Sequence, residues 1–201
     1  FLCNKGFRNL EDRGGIQYAI KAFLEEFNQN EEVEMIVKIN PAYGVPDIQK
    51  MLMLITDKRT NLPKLSFDAN MHDYKDMVKI YNKGNVFVSP TRAEAYNLPC
   101  IEACACGLPV ITTNYGGQTD YINDKNGWLI DYNLTEVKHE IQYEGISWAI
   151  PDLNKLRQTM RFCYENPESI EMKGKEAREN SLSYSWSETA KKIKGLINGM
   201  D

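Results

Sequence analysis

Two carboxylates, Glu94 and Glu102, lie eight residues apart in the most informative stretch of the sequence. Pro99 between them suits the first position of a helix, where its missing N–H costs nothing. The backbone N–H groups from about Asn97 to Cys100 are therefore expected at a positive helix end, where phosphate binds readily. A carboxylate repels phosphate but accepts hydrogen bonds from sugar hydroxyls. The pattern predicts a nucleotide-sugar site, with hydroxyls on both sides of a diphosphate.

The elements that must position these carboxylates are a strand, a loop, a short helix and a second strand. Residues 86–88 are a short apolar run that ends before Pro90, because proline cannot donate to a strand ladder. The helix is predicted over residues 99–106, with Gly107 just past its end. Residues 110–113, Val-Ile-Thr-Thr, are β-branched throughout, which is typical of a strand buried on both faces of a parallel sheet. The first carboxylate then lies in the loop between strand and helix.

The rest of the chain alternates strands with helical patterns. Further strands are predicted over residues 1–4, 33–39, 65–67 and 126–130, and helical patterns begin near residues 16, 47, 74, 147, 169 and 185. Residues 131–146 are polar and irregular and look like an insertion without an assigned role. About six alternations predict an α/β fold with a doubly wound, mostly parallel sheet and helices on both faces. Right-handed crossovers then bring the loops after successive strands to one edge of the sheet.

The segment Glu94-x7-Glu102, followed by Ala103 and then Gly-Leu-Pro-Val at 107–110, resembles the E-x7-E segment of the retaining GT-B glycosyltransferases of group 1, family 4. The resemblance continues through the glycine pair at 116–117 and the last helix, so it covers nearly the whole chain. It implies the Rossmann-like, C-terminal, donor-binding half of that fold. We therefore expect one nucleotide-sugar-binding domain over residues 1–201, cut from a longer protein whose N-terminal acceptor domain would be its partner.

The resemblance also implies roles for the acidic segment. Glu94 would lie against the donor sugar as the catalytic carboxylate, fixing its hydroxyls or stabilising positive charge near the anomeric carbon. Tyr96 and Asn97 would contact the same sugar, and Glu102 would bind the ribose hydroxyls. The family normally has a glycine whose amide faces the sugar, and Asn97 takes its place here. This departure bears on how closely the backbone approaches the sugar.

The loop after the first predicted strand carries Lys5, Arg8 and Arg13 amid three glycines. In the resembled family, an arginine and a lysine in this loop neutralise the donor diphosphate. Arg13 precedes a glycine as that lysine does, whereas Arg8 comes one place later than the family's arginine. We assign Arg13 and Arg8 to the diphosphate, together with the amides of Asn97 and Leu98.

Two further loops complete the predicted cleft. The loop over residues 68–73 follows the third strand, on the side where open α/β sheets bind ligands. By resemblance it lines the nucleotide base, and Asn70 and Met71 are the candidates. Gly116 and Gly117 directly follow a buried strand, on the same sheet edge as the first carboxylate. Glycine lets the backbone approach a ligand closely, so this pair is assigned as a ligand loop.

The predicted function is transfer of a sugar from a nucleoside-diphosphate sugar to an acceptor hydroxyl, with retention of configuration by resemblance. No metal and no cofactor besides the substrate is expected. The isolated chain should bind donor but turn over little, because the acceptor site would belong to the other half. The alternatives are a phosphorylase or epimerase of the same architecture, or a non-catalytic nucleotide-binding or scaffold domain. The departures at Phe7 and Asn97 favour the last of these.

Composition narrows the class of protein. The net charge of −4 argues against a general nucleic-acid binder, since no basic stripe is available to replace phosphate counterions. Five cysteines, an odd number without a secretory signal, argue for a reducing cytoplasm. Small buried hydrophobes are their expected role rather than metal ligands. Membrane association of the parent enzyme stays open, because in this architecture the other half usually carries it.

Overall fold

Six parallel strands form the central sheet, in the order β3-β2-β1-β4-β5-β6. The computed structural model describes residues 1–6, 11–43, 47–56, 59–138 and 144–199. The strands are β1 Leu2–Lys5, β2 Glu34–Ile39, β3 Lys64–Asp68, β4 Phe87–Ser89, β5 Val110–Thr113 and β6 Gly127–Ile130. This order confirms the doubly wound parallel sheet, and its direction reverses between β1 and β4. Ligands of such sheets bind at that switch point, outside the carboxyl ends of the strands.

Helices cover both faces of the sheet. The described helices are α1 Ile16–Glu26, α2 Ile48–Thr56, α3 Met77–Tyr81, α4 Leu98–Ala105, α5 Leu153–Glu165, α6 Pro167–Ser181 and α7 Trp186–Asn198, of which α7 has no buried residue. Neighbouring residues of β1 show the two faces: Cys3 packs with the apolar residues of α1 and α5, whereas Leu2 packs with those of α3, α4 and α6. Within the described ranges, no helix combines the length and the apolar character that crossing a bilayer requires.

Arg161 joins the two largest helices of one face. It extends from α5 to the end of α1, where its Nε donates to Glu26 Oε1 at 2.9 Å and its Nη2 donates to the Glu26 carbonyl at 2.8 Å. The guanidinium also donates to Glu31 and lies 4.4 Å from the centre of the Phe27 ring. This hydrogen bond from Arg161 lowers the pKa of Glu31. Charge, hydrogen bonding and ring contact therefore fix one helix against the other.

The segment expected to be irregular contains one strand of a two-stranded sheet. Strand β7, Tyr132–Glu136, pairs antiparallel with β8, Ser147–Pro151. The prediction of a helix beginning near residue 147 was wrong, because α5 begins only after Asp152, whose side chain accepts from the Lys155 amide at 2.9 Å. A short apolar run has too few residues for its periodicity to distinguish strand from helix.

Smaller differences occur at other element ends. β1 extends to Lys5, one residue beyond its predicted end. The helix predicted over residues 74–82 is a 3₁₀ turn, Tyr74–Asp76, followed by the short α3. The last helix begins as expected near residue 185, where the Ser185 hydroxyl caps it by accepting from the Glu188 amide at 3.3 Å. The extra residue of β1 has the largest consequence, because it brings a lysine to the carboxyl edge of the sheet.

Candidate functional site

Lys5 is a buried cation at the switch point between β1 and β4. Its Nζ donates to Glu94 Oε1 at 2.8 Å and to Asn97 Oδ1 at 2.6 Å. The lysine is only 8% exposed, so the ammonium is held by these two acceptors rather than by bulk water. Sequence reasoning placed Lys5 in a basic loop and gave it no role. The signal that could have found it is the strand length, since the last residue of a parallel strand lies at the ligand-binding edge.

Asn97 has the backbone shape of a glycine. Its φ of 66° and ψ of 63° make it the one residue other than glycine with positive φ among those described. Asparagine tolerates this left-handed conformation better than most residues. The Asn97 amide group also donates to the Ser89 hydroxyl at 3.1 Å, and the buried Tyr121 hydroxyl donates to the carbonyls of Tyr96 and Asn97 at 2.6 and 2.9 Å. Asn97, which stands where the resemblance leads one to expect a glycine, therefore adopts the left-handed backbone conformation that a glycine would allow.

The free amides at the start of α4 are fewer than expected. The Cys100 N–H donates to the Asn97 carbonyl at 2.9 Å, and Pro99 has no N–H, so these two positions do not serve an anion. Among the described residues, the N–H groups of Asn97 and Leu98 have no protein acceptor. Of the amides predicted to bind an anion, those of Asn97 and Leu98 therefore remain as candidates. The side chain of Leu98 is exposed.

Glu102 is held by a buried phenol. The Tyr81 hydroxyl donates to Glu102 Oε2 at 2.6 Å and accepts from the Asn4 side chain at 3.1 Å. Burial, together with the charge of Glu102, raises the pKa of Tyr81 and keeps the phenol protonated. The negative charge of Glu102 raises the pKa of Tyr74, which directly follows the candidate base loop. Asn4 adjoins Lys5, so two consecutive residues of β1 connect to both carboxylates.

The glycine pair packs directly on the loop that carries Glu94. The Gly117 N–H donates to the Glu94 carbonyl at 3.0 Å. A Cβ atom on Gly117 would lie 1.8 Å from the Ala95 carbonyl oxygen, and Gly116 has a φ of 102°. No other residue type fits this approach without moving the backbone. The predicted glycine loop therefore lies beside the candidate sugar carboxylate and shapes the backbone on which that carboxylate sits.

Of the two arginines predicted to bind the diphosphate, the structure describes Arg13. The Arg13 side chain is exposed and forms no ion pair with the described part of the chain. Its carbonyl accepts from the Arg92 amide at 2.9 Å, so its backbone is held against the segment that precedes Glu94. Arg8 and Phe7 lie outside the described residues, and the assignment of Arg8 to the diphosphate stays a prediction.

Arg92 was missed by sequence reasoning. It is 3% exposed, and its guanidinium donates to the Ala149 carbonyl at 3.3 Å and to the Glu11 carbonyl at 3.1 Å. The guanidinium carbon lies 5.1 Å from the centre of the Trp148 ring. These contacts join the loop after β1, the loop after β4 and the strand β8. A buried loop arginine with carbonyl partners gives no sequence signal, because a cation in a loop is usually solvated.

The candidate base residues lie in a loop organised by Asp68. The Asn70 backbone amide and side chain both donate to Asp68 Oδ1 at 3.0 Å, and His72 lies 2.9 Å from Asp68 Oδ2. Burial opposes the charge of Asp68, but these hydrogen bonds outweigh it and lower the pKa of Asp68. The Asn70 amide group is therefore engaged within its own loop. Met71 is 71% exposed and offers the free surface of this loop.

The acidic, histidine and cysteine side chains do not form a metal-binding cluster in the part of the chain that the structure describes. Within the described ranges, no group of three or more His, Cys, Asp or Glu side chains could hold a metal ion. All five cysteines are free thiols, and four of them are buried. The polar cluster at the carboxyl edge therefore consists of a lysine, two carboxylates, amides and a phenol, which are groups suited to binding phosphate and hydroxyls.

Comparison with known proteins identifies the family. Residues 8–158, well over half of the chain, match the model described as glycosyl transferases group 1. The chain belongs to this family. The D-inositol 3-phosphate glycosyltransferase of Pseudarthrobacter chlorophenolicus is 26% identical over 159 residues, which are 72% of this chain and 34% of that protein. The chain thus spans about a third of this curated group 1 relative.

Solved structures agree on the fold. The sucrose-phosphate synthase of Thermosynechococcus elongatus superposes with a TM-score of 0.70 at 20% identity, over 99% of this chain and 45% of that one. HepE of Anabaena, in complex with UDP, superposes with a TM-score of 0.68 at 15% identity, over 99% of this chain and 49% of that one. The group 1 chain therefore has the GT-B Rossmann-like fold and corresponds in extent to about half of each neighbour.

Proposed function

We propose that this chain is the donor-binding half of a retaining glycosyltransferase of the E-x7-E class, family 4. It binds a nucleoside-diphosphate sugar, and the parent enzyme transfers the sugar to an acceptor hydroxyl. The observation that carries the proposal is the link from adjacent residues of β1 to the two carboxylates, Lys5 to Glu94 and Asn4 through Tyr81 to Glu102. A cation between two hydroxyl-binding carboxylates matches the order of sugar, diphosphate and ribose in such a donor.

The diphosphate is bound by cations and amides. Lys5 provides the buried positive charge, Arg13 an exposed guanidinium, and Asn97 and Leu98 the free N–H groups at the start of α4. Arg8 is assigned to the same group by its place in the sequence. When the bond to the sugar breaks, the diphosphate leaves with its negative charge. Preorganised donors that stabilise this charge lower the barrier.

Glu94 acts at the sugar. Its carboxylate contacts the donor hydroxyls or stabilises positive charge at the anomeric carbon, while Tyr96 and Asn97 line the same pocket. The Gly116–Gly117 loop supports this geometry, since Gly117 binds the carbonyl of Glu94. No metal and no further cofactor takes part in this scheme, because the charge of the leaving group is met by side chains and amides.

The nucleoside lies on the other side of the diphosphate. Glu102 accepts hydrogen bonds from the ribose hydroxyls, and the loop of Asn70 and Met71 lines the base. Tyr74 directly follows the candidate base loop, and the charge of Glu102 raises the pKa of Tyr74, which supports this order. The structure of HepE in complex with UDP supports a nucleoside diphosphate as ligand class.

The acceptor site belongs to the other half of the parent protein. This chain corresponds to about half of the sucrose-phosphate synthase and HepE structures, and an N-terminal domain is proposed as its partner. On its own, the chain forms one domain that binds donor with little turnover. The free thiols support a reducing, cytoplasmic location.

Thermal unfolding against UDP, GDP, ADP and CDP, each alone and as a sugar conjugate, tests the proposal. A ligand at about 100 times its Kd adds about 2.7 kcal/mol of stability. For a domain of this size each kcal/mol raises Tm by about 2–4 °C. One nucleotide should give a shift that disappears in Glu102→Ala. No shift with any of the four nucleotides at millimolar concentration would favour the non-catalytic alternative. Glycosyl transfer that survives Glu94→Ala in the full-length parent protein would favour it as well.

A further inference from the structure

Asn4, Tyr81 and Glu102 form a hydrogen-bonded series from the central strand to helix α4. The Asn4 side chain donates to Tyr81 Oη at 3.1 Å, and Tyr81 donates to Glu102 Oε2 at 2.6 Å. Tyr81 is 1% exposed, and its ring packs 5.8 Å from that of Phe87. The phenol oxygen is therefore fixed in the apolar layer beneath α4 and reaches the site only through Glu102.

Chemistry fixes the direction of each hydrogen bond. An ionised carboxylate only accepts, so the single hydrogen of the phenol points to Glu102. The Tyr81 oxygen then accepts from Asn4, whose side-chain N–H₂ group only donates. Asn4 thus prevents the phenol from turning toward β1. Oε2 of Glu102 is therefore hydrogen-bonded inside the protein, and this bond restricts the orientation of the carboxylate.

We propose that Tyr81 is a positioning residue for ribose recognition. It holds the Glu102 carboxylate in the orientation that accepts the ribose hydroxyls, and Asn4 sets the direction of the Tyr81 hydroxyl. This inference rests on the proposed assignment of Glu102 to the ribose. A glutamate that is ordered before the ligand arrives loses less side-chain freedom on binding, which raises affinity.

The test compares a ribonucleoside diphosphate with its 2′,3′-dideoxy counterpart. Isothermal titration calorimetry measures the binding of UDP, GDP, ADP and their dideoxy forms. The proteins are the wild-type chain of 201 residues, Tyr81→Phe and Glu102→Gln. Tyr81→Phe keeps the ring and removes one hydrogen bond to a charged group. We expect the ribonucleotide that binds wild type to lose about 5- to 10-fold in affinity, and its dideoxy form to be unchanged. Tyr184→Phe is the matched control, because it removes a phenol hydrogen bond to the Asp120 carbonyl.

The outcomes separate this inference from the proposed function. If wild type binds ribose and dideoxy forms equally, or if Glu102→Gln keeps the preference for ribose, the ribose assignment fails and the inference with it. If the preference depends on Glu102 but Tyr81→Phe leaves it intact, or weakens both forms equally, only the positioning role fails. Should Tyr81→Phe not fold, Asn4→Ala is measured instead. It should reduce the ribose preference by about 2- to 3-fold, and an unchanged preference would overturn the inference.

Discussion

The ammonium of Lys5 and the carboxylate of Glu94 form an ion pair at 2.8 Å, with side chains that are 7% and 17% exposed. The pair connects the end of β1 to the loop after the neighbouring strand β4, at the place where the strand order reverses. In the proposed site, a diphosphate would meet a lysine that is already oriented by Glu94 and Asn97. Because the carboxylate proposed for the sugar is paired with the cation proposed for the phosphate, a change at Glu94 is also expected to disturb Lys5.

Replacing Lys5 with Met should weaken phosphate binding selectively. A hydrogen bond to a charged group contributes about 1.5–3 kcal/mol, so affinity for a nucleoside diphosphate should fall about 10- to 100-fold. Affinity for the nucleoside without phosphate should change little. Calorimetric titration of both ligands measures the difference. Lys21→Met is the control, because Lys21 forms a solvent-exposed pair with Glu25 on α1. Equal losses for nucleoside and nucleoside diphosphate would contradict the phosphate role of Lys5.

Gly117→Ala should disturb the loop of Glu94. The added methyl would lie 1.8 Å from the Ala95 carbonyl oxygen, so the backbone must move, at a cost of about 2–3 kcal/mol. Gly195→Ala is the matched control, since a methyl there meets no atom within 4 Å and the residue lies inside α7. That substitution should stabilise the protein by about 0.5–1 kcal/mol. Urea unfolding of both variants checks the contrast, and equal effects would show that the glycine loop tolerates a side chain.

The patterns that the sequence predicted well are those with strong local causes. The β-branched run at residues 110–113 forms β5, which is buried throughout, and the last helix begins near residue 185 as expected. Glu94 and the glycine pair lie together because successive parallel strands end at one edge, which follows from the fold class alone. The resemblance to group 1 glycosyltransferases is confirmed by the family model, which matches residues 8–158.

What the sequence could not give depends on contacts between distant residues. Tyr81 is 21 positions from Glu102, and no spacing rule links a short helix to a carboxylate on another one. Arg92 is buried because two distant segments, the loop after β1 and the strand β8, supply carbonyls and a ring around it. A helix was predicted where strand β8 lies, because the partner strand β7 is in a polar stretch that does not indicate a strand. Pairing and packing decided these features, and neither is local.

The cysteines should be unreactive in the folded protein. Burial raises the pKa of Cys3 and Cys163 to about 12 and that of Cys100 to about 11. Burial also raises the pKa of Cys104 and that of Cys106. Cys106 is only half-buried, whereas the other four cysteines are buried. The thiolate is the reactive form, so at pH 8 a disulfide reagent should modify Cys106 slowly and the other thiols hardly at all.

Thiol counting with and without urea provides the measurement. All five thiols should react in the unfolded chain. Cys106→Ser should remove the slow reaction of the folded protein and leave four thiols to appear on unfolding. Rapid modification of two or more thiols in the folded wild type would mean that the core around α4 opens readily.

Arg161 should make stability depend on pH in the acid range. Its hydrogen bond to Glu31 lowers the pKa of that carboxyl from its ordinary value of 4.5. A depressed pKa in the folded state means that the unfolded chain takes up the proton first as pH falls. The contribution of the pair is therefore complete above about pH 4.5 and is lost as pH falls through the folded pKa.

Arg161→Met should therefore lower the free energy of unfolding by about 1–2 kcal/mol at neutral pH and by less in acid. Urea unfolding at a series of pH values between about 3 and 7 follows this difference. The Phe27 ring and the Glu26 carbonyl contribute a pH-independent part, whereas the Glu26 carboxylate also accepts from the guanidinium. In a Glu31→Gln background the effect of Arg161→Met should vary less with pH, because Glu26 is then the one carboxylate left at the guanidinium among the described residues. Parallel curves for wild type and Arg161→Met across the whole range would show instead that the guanidinium stabilises the two helices by packing and carbonyl bonds rather than by the charge of Glu31.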